Sequence, residues 1–135
     1  AIEQLKSRAR ILVSVLDIEP MARSGRVSEK IGKLLIKLHF KPLVSINPEG
    51  KGTIRGVAFS DGKNRKILLR ELRRRKIEDY VIVHADAAGR ALSLKDELVR
   101  ITGKEPHFIT DISAVVTLYA GKGSVAVAFI EKASA

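Results

Sequence analysis

Lys41-Pro42-Leu43-Val44-Ser45-Ile46, then Asn47-Pro48-Glu49-Gly50-Lys51-Gly52, then Thr53-Ile54-Arg55-Gly56-Val57-Ala58-Phe59: the reading of this stretch decides the fold class. Two β-rich runs flank a segment dense in Asn, Pro and Gly, which is the composition of a turn. Pro42 forbids a continuing helix and pushes Lys41 toward extended backbone. Residues 41–46 and 53–59 are therefore expected to pair as a hairpin. A second group of β runs closes the chain: His107 to Ile112, Ala114 to Tyr119 and Val125 to Ile130, the last two joined across Gly121-Lys122-Gly123-Ser124. Strands grouped in this way predict an α+β domain with a mixed, largely antiparallel sheet covered by helices.

Working outward, Ala1 to Arg10 reads as a short amphipathic helix that begins without Met or cap, like the cut end of a longer element. Ile11 to Leu16 is β-rich, and Asp17 is a plausible cap for a short helix ended by Gly25. Ser28 caps a second helix in which Ile31, Leu34, Leu35 and Leu38 fall at i, i+3, i+4 and i+7. That stripe is expected to face the core, with Lys30, Lys33 and Lys37 on other sides. A basic helix runs from about Lys63 to Ile77, with Ile67, Leu68 and Leu72 inward. Tyr80 to His84 is a short strand of the buried kind, and Asp86 caps a helix whose Ala91, Leu94, Leu98 and Ile101 share a face and which Gly103 ends.

A chain of 135 residues has room for one core, burying roughly 70% of its unfolded surface. With 45% hydrophobic and 30% charged residues it should fold. The absence of Cys removes disulfides and thiolate metal sites, so nothing points to an oxidising compartment and a cytoplasmic bacterial-type protein is the default expectation. No apolar run reaches the roughly 18–20 residues of a membrane span, and no signal-peptide core is present. His39, His84 and His107 share no ligand spacing, so no metal is expected. Neither a Gly-x-Ser-x-Gly elbow nor a Walker-type loop occurs, so candidate catalytic chemistry is thin. Taken alone, Gly121-Lys122-Gly123-Ser124 is a tight turn.

Net charge is +10, and most of it is local: between Lys63 and Lys76 eight Lys or Arg face only Glu71. Such a run is either a solvated face, with the apolar residues of the helix turned inward, or a surface for an acidic protein, anionic headgroups or nucleic acid. Only 4% of the chain is aromatic and no helix-turn-helix pattern precedes the run, which argues against base stacking or direct base readout.

Taken in order, several short motifs resemble the C-terminal domain of DegV-family fatty-acid-binding proteins from about Ile11 to Phe129. They are Ser24-Gly25-Arg26-Val27, Phe40-Lys41-Pro42-Leu43, Glu49-Gly50, His84-Ala85-Asp86 and Tyr119-Ala120-Gly121-Lys122-Gly123-Ser124. The resemblance implies that residues 1–135 form that single domain, with 1–10 a remnant of an interdomain helix and the N-terminal DegV domain missing. It implies a carrier that buries a long-chain fatty acid and presents it to a fatty acid kinase related to dihydroxyacetone kinases for acyl-phosphate formation. The resemblance implies carriage without catalysis, and no cofactor besides the fatty acid as ligand.

By the same resemblance, the ligand-binding residues are Arg26, Tyr119, Gly121, Gly123 and Ser124. Tyr119 stands where the family has a headgroup His, and Lys122 replaces a Pro. A phenol still donates a hydrogen bond to a carboxylate but lacks the charge of an imidazolium. Arg73, Arg74 and Arg75 are the expected partner-docking residues. The alternative reading is a basic interaction domain that binds an acidic protein or nucleic acid.

Overall fold

A computed structural model describes residues 8–16, 19–23, 25, 28–46, 52–111 and 123–132. The expected hairpin forms from β2 (Lys41–Ile46) and β3 (Gly52–Ala58), paired antiparallel. Its register shifts where Leu43 sits opposite Gly56 but Val44 opposite Ile54, leaving Arg55 as the extra residue of a bulge. Strand β1 (Ala9–Ser14) pairs on one side with β2 and on the other with β6 (Val125–Glu131). Beyond β6 lie β4 (Ile77–His84) and β5 (Ile109–Asp111). Among the described residues this is one six-stranded sheet in the order β3-β2-β1-β6-β4-β5, antiparallel throughout except for the parallel β4–β5 pair. The fold is therefore α+β with a mixed open sheet.

Two long helices cover one face. Helix α3 (Asp61–Arg73) and helix α4 (Ala88–Thr102) bury Leu68, Leu72, Leu94 and Leu98 against inward residues of the strands such as Leu12 and Val127. Helix α3 begins at Asp61 because Ser60 Oγ accepts the Lys63 N–H at 3.2 Å. It ends at Arg73, and Ile77 already belongs to β4. Helix α4 ends as expected, with Gly103 in the left-handed region at φ 72 and its N–H on the Val99 carbonyl.

Short helices α1 (Glu19–Arg23) and α2 (Glu29–Lys37) lie on the other face over a smaller core of Val13, Val15, Leu35, Val44 and Ala126. Ser28 caps α2 through the Ile31 N–H, as its sequence suggests. The stripe of α2 does not face the core. Leu35 is 4% exposed, but Ile31, Leu34 and Leu38 are 47%, 53% and 44% exposed. Only the Gly32–Leu35 edge of α2 is buried, so the rest of its apolar stripe turns to solvent.

Two more expectations change. The strand starts at Ala9, not Ile11, because Ala9 and Arg10 pair with Ile130 and Phe129; the helix read to Arg10 does not reach these residues. Asp86 does not cap α4. It sits in a left-handed turn at φ 54, the N-cap position falls on Ala87, and the His84 ring folds back so that Nδ1 accepts the Ala87 N–H at 3.0 Å. The run Ala114 to Tyr119, the cap Asp17 and residues 47–51 of the turn read over 47–52 lie outside the described residues. Among the described residues no helix is long and apolar enough to cross a membrane.

Candidate functional site

The described residues of three motifs, Phe40–Leu43, His84–Asp86 and Gly123–Ser124, converge at one end of the sheet. There β1 and β4 end, at Ser14 and His84, and β2 and β6 begin, at Lys41 and Val125. The first turns of α3 and α4 complete this end. Backbone geometry fixes the Gly123–Ser124 segment: the Gly123 N–H donates to the Ala85 carbonyl at 2.8 Å, and the Ala85 N–H to the Ser124 carbonyl at 3.0 Å. Gly123 has φ 88, and a Cβ there would lie 3.2 Å from Leu16 Cδ1, so both conformation and space favour glycine.

A buried polar chain runs from this turn across the sheet. Arg90 of α4 donates to the Gly123 carbonyl, and through its second terminal nitrogen to Ser14 Oγ at 2.8 Å. The Ser14 hydroxyl donates to Asn64 Oδ1. Asn64 Nδ2 then donates to the Lys41 and Pro42 carbonyls at 2.9 and 3.0 Å. Ser14 and Asn64 are fully buried, so these bonds satisfy groups that could not otherwise be dry. Burial lowers the pKa of Arg90, Asp61 opposes that shift and Arg65 adds to it. Ser14 touches an amide and a guanidinium, neither a base, so its hydroxyl is held rather than activated as a nucleophile.

Beside Arg90 lies a depression of about 320 Å³ between the first turns of α3 and α4, with Arg65 and Ser93 at its rim and Leu68, Leu94 and Val125 below. Among the described residues, Arg65 Nε is buried there without a hydrogen-bond partner. A second hollow of about 360 Å³ opens on the opposite sheet face, beyond α1 and α2. It is lined by Ile11, Val81, Ala128 and Ile130, with His107 Nε2 3.1 Å from Asp79 beside it. These strand residues alternate with Leu12, Ile82, Val127 and Phe129, which enter the helix-covered core. Ile11 is 38% exposed.

Of the expected ligand residues, Gly123 and Ser124 are at the converging end; Arg26, Tyr119 and Gly121 lie outside the described residues. The Gly123 N–H is engaged by Ala85, and Ser124 is 1% exposed. Arg73, Arg74 and Arg75 are at the far end of α3, and Arg75 is committed to Glu71 and Glu131. Arg90, Ser14 and Asn64 were not foreseen. Asn64 carried a signal, since it stands at i−4 and i−8 from buried Leu68 and Leu72. No group of His, Cys, Asp or Glu that could hold a metal occurs among the described residues.

A family model described as "Uncharacterised protein, DegV family" matches residues 1–132. The chain belongs to the DegV family. A comparison with curated proteins finds no match. Among solved structures, a fatty acid binding DegV family protein from Streptococcus agalactiae superposes with TM-score 0.79 at 23% identity, covering 98% of this chain and 48% of that one. A DegV family protein from Eubacterium eligens loaded with heptadecanoic acid gives 0.79 at 18%, covering 97% and 48%. The Streptococcus pneumoniae fatty acid kinase (Fak) B3 protein loaded with linoleic acid gives 0.84 at 15%, covering 97% and 47%. These likenesses establish the DegV fold, and this chain spans about half the length of each.

Proposed function

We propose that this DegV chain is the lipid-binding C-terminal module of a two-domain carrier that presents a long-chain fatty acid to a kinase for acyl-phosphate formation. Family membership and the fatty acids named for the structural relatives support lipid binding. The observation that carries the reading is the half-exposed apolar patch of Ile11, Val81, Ala128 and Ile130 on the sheet face opposite α3 and α4. Each buried methylene contributes about 0.8 kcal/mol, so a long acyl chain against such a surface gains on the order of 10 kcal/mol before the costs of binding. An N-terminal domain closing over this face would complete the enclosure.

The carboxylate belongs at the end where the motifs meet. Arg90 holds a half-buried positive charge there, and Tyr119, Arg26 and Gly121 remain the ligand residues proposed from the family pattern. Losing one hydrogen bond to the carboxylate costs roughly 1–3 kcal/mol, which weakens binding without abolishing it. The chain is read as a carrier that needs no cofactor and does no chemistry of its own.

The test is a titration of the intact parent with palmitate, wild type against Ala128→Glu. A carboxylate placed on the half-exposed strand position should leave the fold intact and lower affinity at least tenfold, through like-charge repulsion and lost apolar contact. Equal affinity in both proteins would remove the sheet face from the site.

A further inference from the structure

The eight cations between Lys63 and Lys76 are not equivalent once folded. Arg65 turns against α4, 3.4 Å from the Ser93 carbonyl and 3.9 Å from Glu97. Arg75 is clamped between Glu71 and Glu131 at 3.1 and 2.7 Å, and Arg74 leans on Glu71 at 3.4 Å. Burial lowers the Arg75 pKa, but the Glu131 and Glu71 carboxylates together outweigh it and leave it above its ordinary value. Four exposed cations of α3 have no acidic partner among the described residues: Lys63, Lys66, Arg70 and Arg73.

These four fall at i, i+3, i+7 and i+10, and so form one line about 15 Å long on the outer side of the helix. Like charges at such spacings repel and weaken a helix. Arg70 and Arg73 lie in the last turn, where the helix dipole favours a cation, but Lys63 in the first turn and the repulsion along the row leave the line as a whole without a reason in helix stability. Its first member, Lys63, is on the first turn of α3, beside the Arg65–Arg90 depression and the end of the sheet where Gly123 is fixed.

We propose that the line Lys63-Lys66-Arg70-Arg73 docks an acidic protein surface and, resting on the carrier reading above, that the surface belongs to the phosphoryl-transferring partner. A protein fits better than the other polyanions. A membrane-seated helix needs apolar anchors along its basic face, and the apolar residues of α3 point into the core instead. A single-stranded nucleic acid is gripped by aromatic platforms, and α3 has no aromatic residue. The line points toward the motif-bearing end, so a partner lying along it reaches the place assigned to the headgroup. Of the three arginines expected to dock from sequence, Arg73 alone belongs to it. Unpaired charges of this kind accelerate encounter more than they deepen affinity.

The experiment measures acyl-phosphate formation from oleate by a purified fatty acid kinase, with the intact parent as carrier. Wild type is compared with Lys63→Glu/Lys66→Glu/Arg70→Glu/Arg73→Glu, with the same four positions changed to Gln, and with a Lys30→Glu/Lys33→Glu/Lys37→Glu control on α2. The expected result at low salt is a 10- to 100-fold fall in kcat/KM for the Glu variant, a smaller fall for the Gln variant, and little change for the control. Lipid content and melting temperature should be unchanged, and about 0.5 M salt should bring all four proteins together. Wild-type kcat/KM in the Glu variant would overturn the docking line while leaving the carrier reading intact. The same holds if that variant keeps its kinase rate but loses binding to an oligothymidylate or to anionic vesicles. No product with wild type, in a parent that does hold oleate, would overturn the kinase reading and the docking line with it.

Discussion

Asn64 and Arg90 hold together two segments that are 82 positions apart, Lys41-Pro42 and Gly123, through the Ser14 hydroxyl. Removing the amide should leave the Ser14 hydroxyl and the Lys41 carbonyl short of a partner. Asn64→Ala is therefore expected to cost about 1–3 kcal/mol in urea unfolding, more than an exposed change such as Lys66→Ala. A second residue-scale prediction concerns Tyr80, whose buried hydroxyl donates to the Lys104 carbonyl at 2.7 Å. Burial raises its pKa above the unfolded value of about 10, so the folded state holds the phenol proton more tightly. The resulting stability is fully present below about pH 10 and is lost as pH rises through the folded-state value. Tyr80→Phe should lower stability by about 1 kcal/mol at pH 7 and flatten the decline above pH 10. An equally steep alkaline decline in both proteins would contradict this. At this scale the sequence showed Gly103 as a helix end, but it put the cap of α4 on Asp86 and gave no sign that the His84 ring would take the Ala87 N–H. It hid the Arg90–Ser14–Asn64 chain, because a lone Ser in an apolar strand and a lone Arg in a helix carry no periodic signal.

At the scale of elements, spacing revealed which helices exist better than which way they face. The stripe on α2 is present in the sequence, yet a stripe is buried only where something lies against it, and only the Gly32–Leu35 edge meets other residues closely. Leu35→Ala should therefore cost about 2–5 kcal/mol, whereas Leu34→Ala in this chain should stay within about 0.5 kcal/mol. Equal losses would restore the core-facing reading. The β2–β3 hairpin was legible from its turn residues and from Pro42, but its bulge was not, since register depends on what packs above it. Gly56 lies under α3, and a Cβ there would come within 2.8 Å of Ile67 Cγ2. That methyl is fixed close to the helix by β-branching. Gly56→Ala should cost about 1–3 kcal/mol, and Ile67→Ala in the same chain should recover part of it, a favourable coupling that a double-mutant cycle would read directly.

For the whole molecule, the fold class was readable because grouped β runs and short connections leave few arrangements, and the ordered motifs pointed to the family that the comparison shows. The candidate site shows only Gly123 and Ser124 of the ligand residues expected from sequence, the others lying outside the described ones. Its residues come from segments far apart in sequence, and the face proposed for the acyl chain alternates with core positions along the same strands, so composition cannot separate the two. The charge of +10 was visible, but not its division into cations spent on Glu71, Glu97 and Glu131 and cations left in the open. We propose that this domain is half of a fatty-acid carrier. The most direct measurement is lipid extraction and mass spectrometry of the intact parent, purified from a bacterial host and then exposed to palmitate and oleate. The account predicts about one fatty acid per protein; a clean preparation that holds none and takes up neither acid would contradict it.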